Sequence, residues 1–97
     1  MSRTEHIWVI DDDHAIRWVL AKALQREGMS VRAFETASAA LDALREKTPD
    51  AVIADIRMPG LSGLELLARL REQVPLLPVI IMTAHSDLDS AVSAYQG

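Results

Sequence analysis

The chain has 97 residues, a formal net charge of −4 and a sequence isoelectric point near 5.2, which together favour one acidic domain. A surface for nucleic acid or for anionic membranes requires dense Lys and Arg, so we expect neither partner to contact this segment directly. Cysteine is absent, which excludes disulfides, thiolate zinc sites and thiol catalysis. The longest apolar run covers nine residues, 74–82, and is too short to span a bilayer. We therefore expect a cytoplasmic domain without a membrane partner.

Short apolar runs, each followed by a helical pattern, predict four successive βα units. The runs at 7–10 and 51–54 are continuous rather than alternating, which is typical of parallel strands covered on both faces. The pattern therefore predicts an α/β domain in which a doubly wound parallel sheet has helices on both faces. The predicted strands cover residues 7–10, 30–34, 51–54 and 78–82, and the predicted helices cover residues 14–27, 38–47, 63–72 and 87–96.

Apolar residues at helical spacing predict which side of each helix packs on the sheet. In the first helix we expect this stripe to include Ile16, Val19 and Leu20, whereas Arg17 belongs to the polar side. In the third helix the predicted stripe consists of Leu64, Leu67, Ala68 and Leu70. The two tryptophans, Trp8 and Trp18, are interpreted as packing residues, because no basic groove accompanies them.

Acidic residues follow two of the predicted strands. Asp11, Asp12 and Asp13 come directly after the first strand, and Asp55 comes directly after the third. Ligands of open parallel sheets bind beyond the carboxyl ends of the strands, where neighbouring crossovers go to opposite faces. If the first and third strands are neighbours, these acids converge there, and Thr83 at the end of the fourth strand lies on the same rim.

Carboxylates that converge in this way repel one another unless a cation lies between them. With oxygen as the only donor type, the hard ions Mg²⁺, Mn²⁺ and Ca²⁺ suit the cluster. A carboxylate beside such an ion can also act as a nucleophile and form an aspartyl phosphate, and Asp55 is the candidate for that role. Asp13 lies directly before a helix and is expected to cap it, which leaves Asp11 and Asp12 for the metal.

Three segments of the chain resemble the receiver domain of two-component response regulators. They are Val-Ile-Asp-Asp-Asp at 9–13, Asp-Ile-Arg-Met-Pro-Gly at 55–60 and Ile-Ile-Met-Thr-Ala-His at 80–85. The resemblance covers almost the whole chain, and within the family it is closest to the receivers of nitrogen regulatory transcription activators. It implies a flavodoxin-like sheet with strand order 2-1-3-4.

The resemblance also implies roles for the acids. Asp55 resembles the phosphoacceptor, which receives a phosphoryl group from a sensor histidine kinase. The implied Mg²⁺ ligands are Asp11, Asp12, Asp55 and the backbone carbonyl of Arg57. Because three aspartates stand where many relatives have two, the metal-binding pair is either Asp11 with Asp12 or Asp12 with Asp13.

The remaining implications concern the switch and the rest of the protein. Thr83 matches the hydroxyl that bonds the new phosphoryl oxygen, the Ala84 N–H assists it, and the helix after Ser86 changes position. Receivers of this family have a fifth βα unit with a lysine, so we expect residues 1–97 to be a receiver domain truncated before that strand. An ATPase module and a DNA-binding module are expected outside this chain, and homodimers are possible.

Two other functions compete with the receiver interpretation. A magnesium-dependent phosphatase with an aspartate nucleophile would use the same strand-end acid, but such enzymes typically carry a second Asp two residues on, where this chain has Arg57. A docking module that keeps the fold and no longer uses the chemistry is the other alternative. We prefer the receiver, a phosphotransfer acceptor and switch rather than a turnover enzyme, because every acid is present.

Overall fold

The computed structural model describes residues 4–58 and 60–82, in which strands and helices alternate. The strands are β1 (His6–Ile10), β2 (Ser30–Phe34), β3 (Ala51–Asp55) and β4 (Val79–Met82), and the helices are α1 (His14–Arg26), α2 (Ala37–Leu44) and α3 (Gly63–Gln73). These bounds match the predicted elements closely, except that α2 ends at Leu44 rather than at Lys47. The predicted helix at 87–96 lies outside the described residues. No helix in the described part of the chain is long and apolar enough to cross a bilayer.

The four strands form one parallel sheet in the order β2-β1-β3-β4. In the pairing of β1 with β3, Val9 lies opposite Ile53 and Ile10 lies opposite Ala54. The predicted α/β class and the strand order 2-1-3-4 are therefore confirmed. Because β2 lies on one side of β1 and β3 on the other, the carboxyl ends of β1 and β3 flank the point where the chain reverses its winding direction.

One face of the sheet carries the main core, which packs between the strands and the helices α2 and α3. Trp8 and Phe34 meet there edge to face, with ring centroids 4.9 Å apart, an arrangement that contributes about 1 kcal/mol beyond the area buried. Leu66 and Leu70 of α3 are fully buried in the same cluster. The expectation that Trp8 is a packing residue is confirmed, and this core holds the strand ends in fixed positions.

The opposite face is covered by α1, which contacts β1 and β2. No residue of α1 is fully buried, and Leu20 of the predicted stripe is half-buried, whereas the prediction is wrong for Val19, which is 56% exposed, and for Ile16, which is 41% exposed. Trp18 is 58% exposed, with the Lys22 ammonium 5.7 Å from its ring centroid, so the interpretation of Trp18 as a packing residue is not confirmed. The physical reason is that, among the described elements, α1 packs mainly on β2 and β1 and has no extensive contact with another helix, so the flanks of its apolar stripe stay open to solvent.

The buried side of α3 also differs from the predicted stripe. The residues it buries are Gly63, Leu66 and Leu70, whereas Leu64 is 44% exposed. The prediction therefore chose the wrong phase of the helix, and Leu70 is the one buried position it shares with the structure. A glycine at the first position lets the start of α3 approach the end of β3 closely, and this contact sets which side of the helix faces the sheet.

Candidate metal centre

Three carboxylates converge at the carboxyl edge of the sheet. One oxygen from each of Asp11, Asp12 and Asp55 lies within 4.8 Å of the others. Asp11 follows β1 directly and Asp55 is the last residue of β3, so the pairing of these two strands brings together acids that are 44 residues apart. Burial differs within the group: Asp11 is 3% exposed, Asp55 is half-buried and Asp12 is exposed.

Hydrogen bonds hold Asp11 through its N–H, its Oδ1 and its carbonyl. Its N–H donates to the Phe34 carbonyl at 3.1 Å, and its Oδ1 accepts from the Asp13 N–H at 2.8 Å. Its carbonyl accepts from Nη1 of Arg17 at 2.6 Å. Because these partners come from β2, the following turn and α1, the position of Asp11 depends on three elements.

Burial and two neighbouring negative charges act on the Asp11 carboxylate. Burial raises the pKa of Asp11, and the neighbouring charges of Asp55 and Asp12 raise it further, although the hydrogen bond from Asp13 opposes them. A bound cation would remove this penalty by stabilising the ionised carboxylates. All three donors are hard oxygen ligands, two of which are accessible, so the residues present fit Mg²⁺ or a similar ion.

Asp13 does not join this group, because it caps α1. Its Oδ1 accepts from the backbone N–H groups of Ala15 at 2.8 Å and Ile16 at 3.3 Å. The predicted capping role is confirmed. Since the carboxylate of Asp13 is held at the start of the helix while that of Asp11 faces Asp55, the geometry favours Asp11 with Asp12 over Asp12 with Asp13 as the metal-binding pair.

The segment after β3 is folded back against the site. The N–H of Arg57 donates to Oδ1 of Asp55 at 3.3 Å, which places the Arg57 backbone beside the acid cluster. Ile56 donates its N–H to the Met82 carbonyl at 2.9 Å, and Met82 lies opposite Asp55 in the sheet. The end of β4 therefore borders the site, whereas Thr83 and Ala84 lie outside the described residues.

Sequence reasoning missed the contribution of Gly63, which it treated only as the start of a helix. A Cβ at this position would lie 2.1 Å from the Asp55 carbonyl oxygen and 2.9 Å from the Cα of Ile56. The Gly63 N–H donates to the Ile56 carbonyl at 3.2 Å, and Ser62 caps the helix by accepting from the Glu65 N–H. The sequence feature that could have indicated this contact is a glycine directly after a capping serine, at a position where no tight turn requires a glycine.

The fold and the acid cluster agree with the class of protein that comparison gives, because the chain belongs to the response regulator receiver domain family, whose profile matches residues 7–97. It is 60% identical to the DNA-binding transcriptional regulator NtrC of Proteus hauseri over 91 residues, which cover 94% of this chain and 19% of the relative. It is thus an NtrC-like receiver, a phosphoacceptor domain of two-component signalling. The chain spans about a fifth of the length of the curated NtrC relatives.

Two solved structures extend the comparison. The apo receiver domain of nitrogen regulatory protein C has 56% sequence identity and a TM-score of 0.81, and the match covers 95% of this chain and 74% of that one. A structure described as a transiently phosphorylated switch in bacterial signal transduction has 55% identity and a TM-score of 0.78, and the match covers 99% and 78%. Both structures are therefore similar to this chain in sequence as well as in fold.

Proposed function

We propose that Asp55 is the residue that accepts the phosphoryl group, and that Asp11, Asp12, Asp55 and the backbone carbonyl of Arg57 hold Mg²⁺ beside it. The observation that carries this proposal is the convergence of three carboxylates from two neighbouring strands within 4.8 Å. Chemistry on a phosphoryl group needs a nucleophile and a cation at the same place, and this cluster supplies the nucleophile and ligands for the cation.

The surroundings of each acid support Asp55 as the nucleophile. Asp11 is only 3% exposed, which leaves a phosphoryl donor little access to its carboxylate. Asp12 lies in an exposed turn after β1. Asp55 is held by the strand β3 and is half-buried, which gives it both a fixed position and access to a donor.

In the proposed reaction, a carboxylate oxygen of Asp55 attacks the phosphorus of the donor. With acetyl phosphate, the new O–P bond forms as the bond between phosphorus and the acetate oxygen breaks, and acetate leaves with the electron pair. Mg²⁺ supplies positive charge next to the oxygens of the transferring group. We assign to Thr83 and Ala84 the hydroxyl and N–H contacts to the phosphoryl oxygens, and to the helix after Ser86 the response.

The wider role follows from the relatives. The proposed donor is a sensor histidine kinase, and the proposed whole protein is an NtrC-like activator of transcription in nitrogen regulation, located in the cytoplasm. ATPase and DNA-binding modules would then belong to parts of the protein outside these 97 residues. The support is that the matching relatives are DNA-binding transcriptional regulators of which this chain covers only 19%.

Intact-mass measurement after incubation with acetyl phosphate and Mg²⁺ tests the site. We expect the mass of one phosphoryl group to be gained by the parent and lost in Asp55→Asn. Asp42→Asn makes the same chemical change on the exposed side of α2 and should keep the gain. An equal gain in Asp55→Asn would refute the assignment, and multiple-turnover hydrolysis of a phosphomonoester would favour the phosphatase instead.

A further inference from the structure

Arg17 folds back from α1 towards the acid cluster. It is the fourth residue of the helix, is half-buried, and donates from Nη1 to the carbonyl of Asp11 at 2.6 Å. A hydrogen bond from a guanidinium is charge-assisted and therefore stronger than a neutral one. The polar side of a surface helix normally faces water. Arg17 instead donates its charged group to a backbone carbonyl at the edge of the site, which suggests a specific role.

The carbonyl that Arg17 holds belongs to the peptide group between Asp11 and Asp12. Because a peptide group is planar, fixing this oxygen also fixes the direction in which the chain leaves Asp11. The Asp11 N–H is already bound to Phe34 and its Oδ1 to the Asp13 N–H. Asp12 itself is exposed, so the orientation of its carboxylate relies on the peptide that precedes it.

We propose that Arg17 is a positioning residue of the candidate metal centre, which tethers the Asp11–Asp12 peptide so that both carboxylates face Asp55. This inference rests on the proposed function, because it assumes that the cluster holds Mg²⁺. Partners that orient metal ligands without touching the metal typically change metal affinity by 10- to 100-fold when they are removed.

The charge of Arg17 and its hydrogen bond to the Asp11 carbonyl have opposite expected effects on the affinity for Mg²⁺, so the two can be separated by experiment. Arg17 is a cation near a cation site, so its charge alone weakens the binding of Mg²⁺, and removing that charge would tighten binding. If the tether dominates, removing the guanidinium instead loosens the two carboxylates and weakens binding. The direction of the change in Kd therefore separates the two roles.

The experiment is calorimetric titration of the full-length protein with Mg²⁺, for the parent and for Arg17→Met, which keeps an unbranched side chain but removes charge and donors. We expect the Kd to rise about tenfold. Arg17→Lys, which can donate to the same carbonyl, should recover binding to within about threefold of the parent. Arg26→Met removes the same group from the exposed last turn of α1 and should leave the Kd unchanged.

Thermal unfolding without metal shows whether each variant is folded at the temperature of the titration. If Arg17→Met is not, Arg17→Leu, which also lacks charge and donors, replaces it with the same expected loss. The inference is overturned if the Kd of the neutral variant equals or falls below that of the parent. It is also overturned if Arg26→Met raises the Kd by as much as the neutral variant does. Failure of the parent itself to bind Mg²⁺ would instead refute the proposed magnesium site on which the inference depends.

Discussion

Replacing Gly63 by alanine should damage the site through a single methyl group. The added Cβ would lie 2.1 Å from the Asp55 carbonyl oxygen, whereas real Cβ contacts are essentially never shorter than 3.0 Å. The start of α3 and the end of β3 must therefore separate by about 0.9 Å or more. Overpacking of this kind costs about 1–3 kcal/mol, although the better helix propensity of alanine offsets up to about 1 kcal/mol of it.

Gly63→Ala should lower the rate of phosphorylation by a larger factor than its loss of folding stability would suggest. Asp55 lies at the contact, and a misplacement of about 1 Å at a reacting group can lower a rate by about 10²-fold. The assay is the initial rate of phosphorylation by acetyl phosphate, with chemical unfolding measured on the same samples.

Gly28→Ala is the matched control, because Gly28 has a φ of +83° and an added Cβ there would meet no atom within 4 Å, far from the acid cluster. Alanine there should lower stability by about 1 kcal/mol through backbone strain while the phosphorylation rate stays at the parental value. The reasoning about Gly63 would be refuted by a Gly63→Ala protein that is phosphorylated as fast as the parent.

Two further predictions concern the other acids. Asp13→Ala should lower the free energy of unfolding by about 1 kcal/mol and Asp13→Asn by less, because asparagine keeps the capping oxygen; equal losses in chemical unfolding would contradict this. Asp11→Asn should raise the free energy of unfolding at pH 7 without divalent ions, since burial of the ionised carboxylate beside Asp55 and Asp12 destabilises the fold. The folded pKa of Asp11 lies above the ordinary 3.8, so this penalty appears as the pH rises through the interval between the two values, and the gain should vanish below pH 3.8. A gain that persists there would show another cause.

The elements that could be predicted from the sequence are those with a local signal. The apolar runs that became β1 and β3 are recognisable because a central parallel strand is covered on both faces. Asp13 could be assigned as a cap because a capping residue acts on N–H groups two and three residues away. The grouping of acids at one edge needed one further assumption, that β1 and β3 are neighbours.

The features that were missed depend on contacts between distant parts of the chain. The phase of α3 follows from the approach of Gly63 to Asp55, which periodicity does not register. The exposure of α1 depends on which elements pack against it, and in the described part of the chain these are mainly β2 and β1. Arg17 occupies a polar position of α1, yet its long side chain reaches back six residues to Asp11, and helical spacing describes Cβ positions rather than the reach of an arginine.

The acid cluster exists only in the folded chain, because Asp11 and Asp55 are 44 residues apart in the sequence and are brought together by the pairing of β1 with β3. A divalent ion that binds this cluster therefore binds the native ensemble selectively, and by mass action it shifts the folding equilibrium towards it. At a free concentration of 100 times its Kd, such an ion would add about 2.7 kcal/mol to the stability of the domain. The capacity for phosphorylation and the thermal stability of the domain would consequently both increase with the free concentration of the ion.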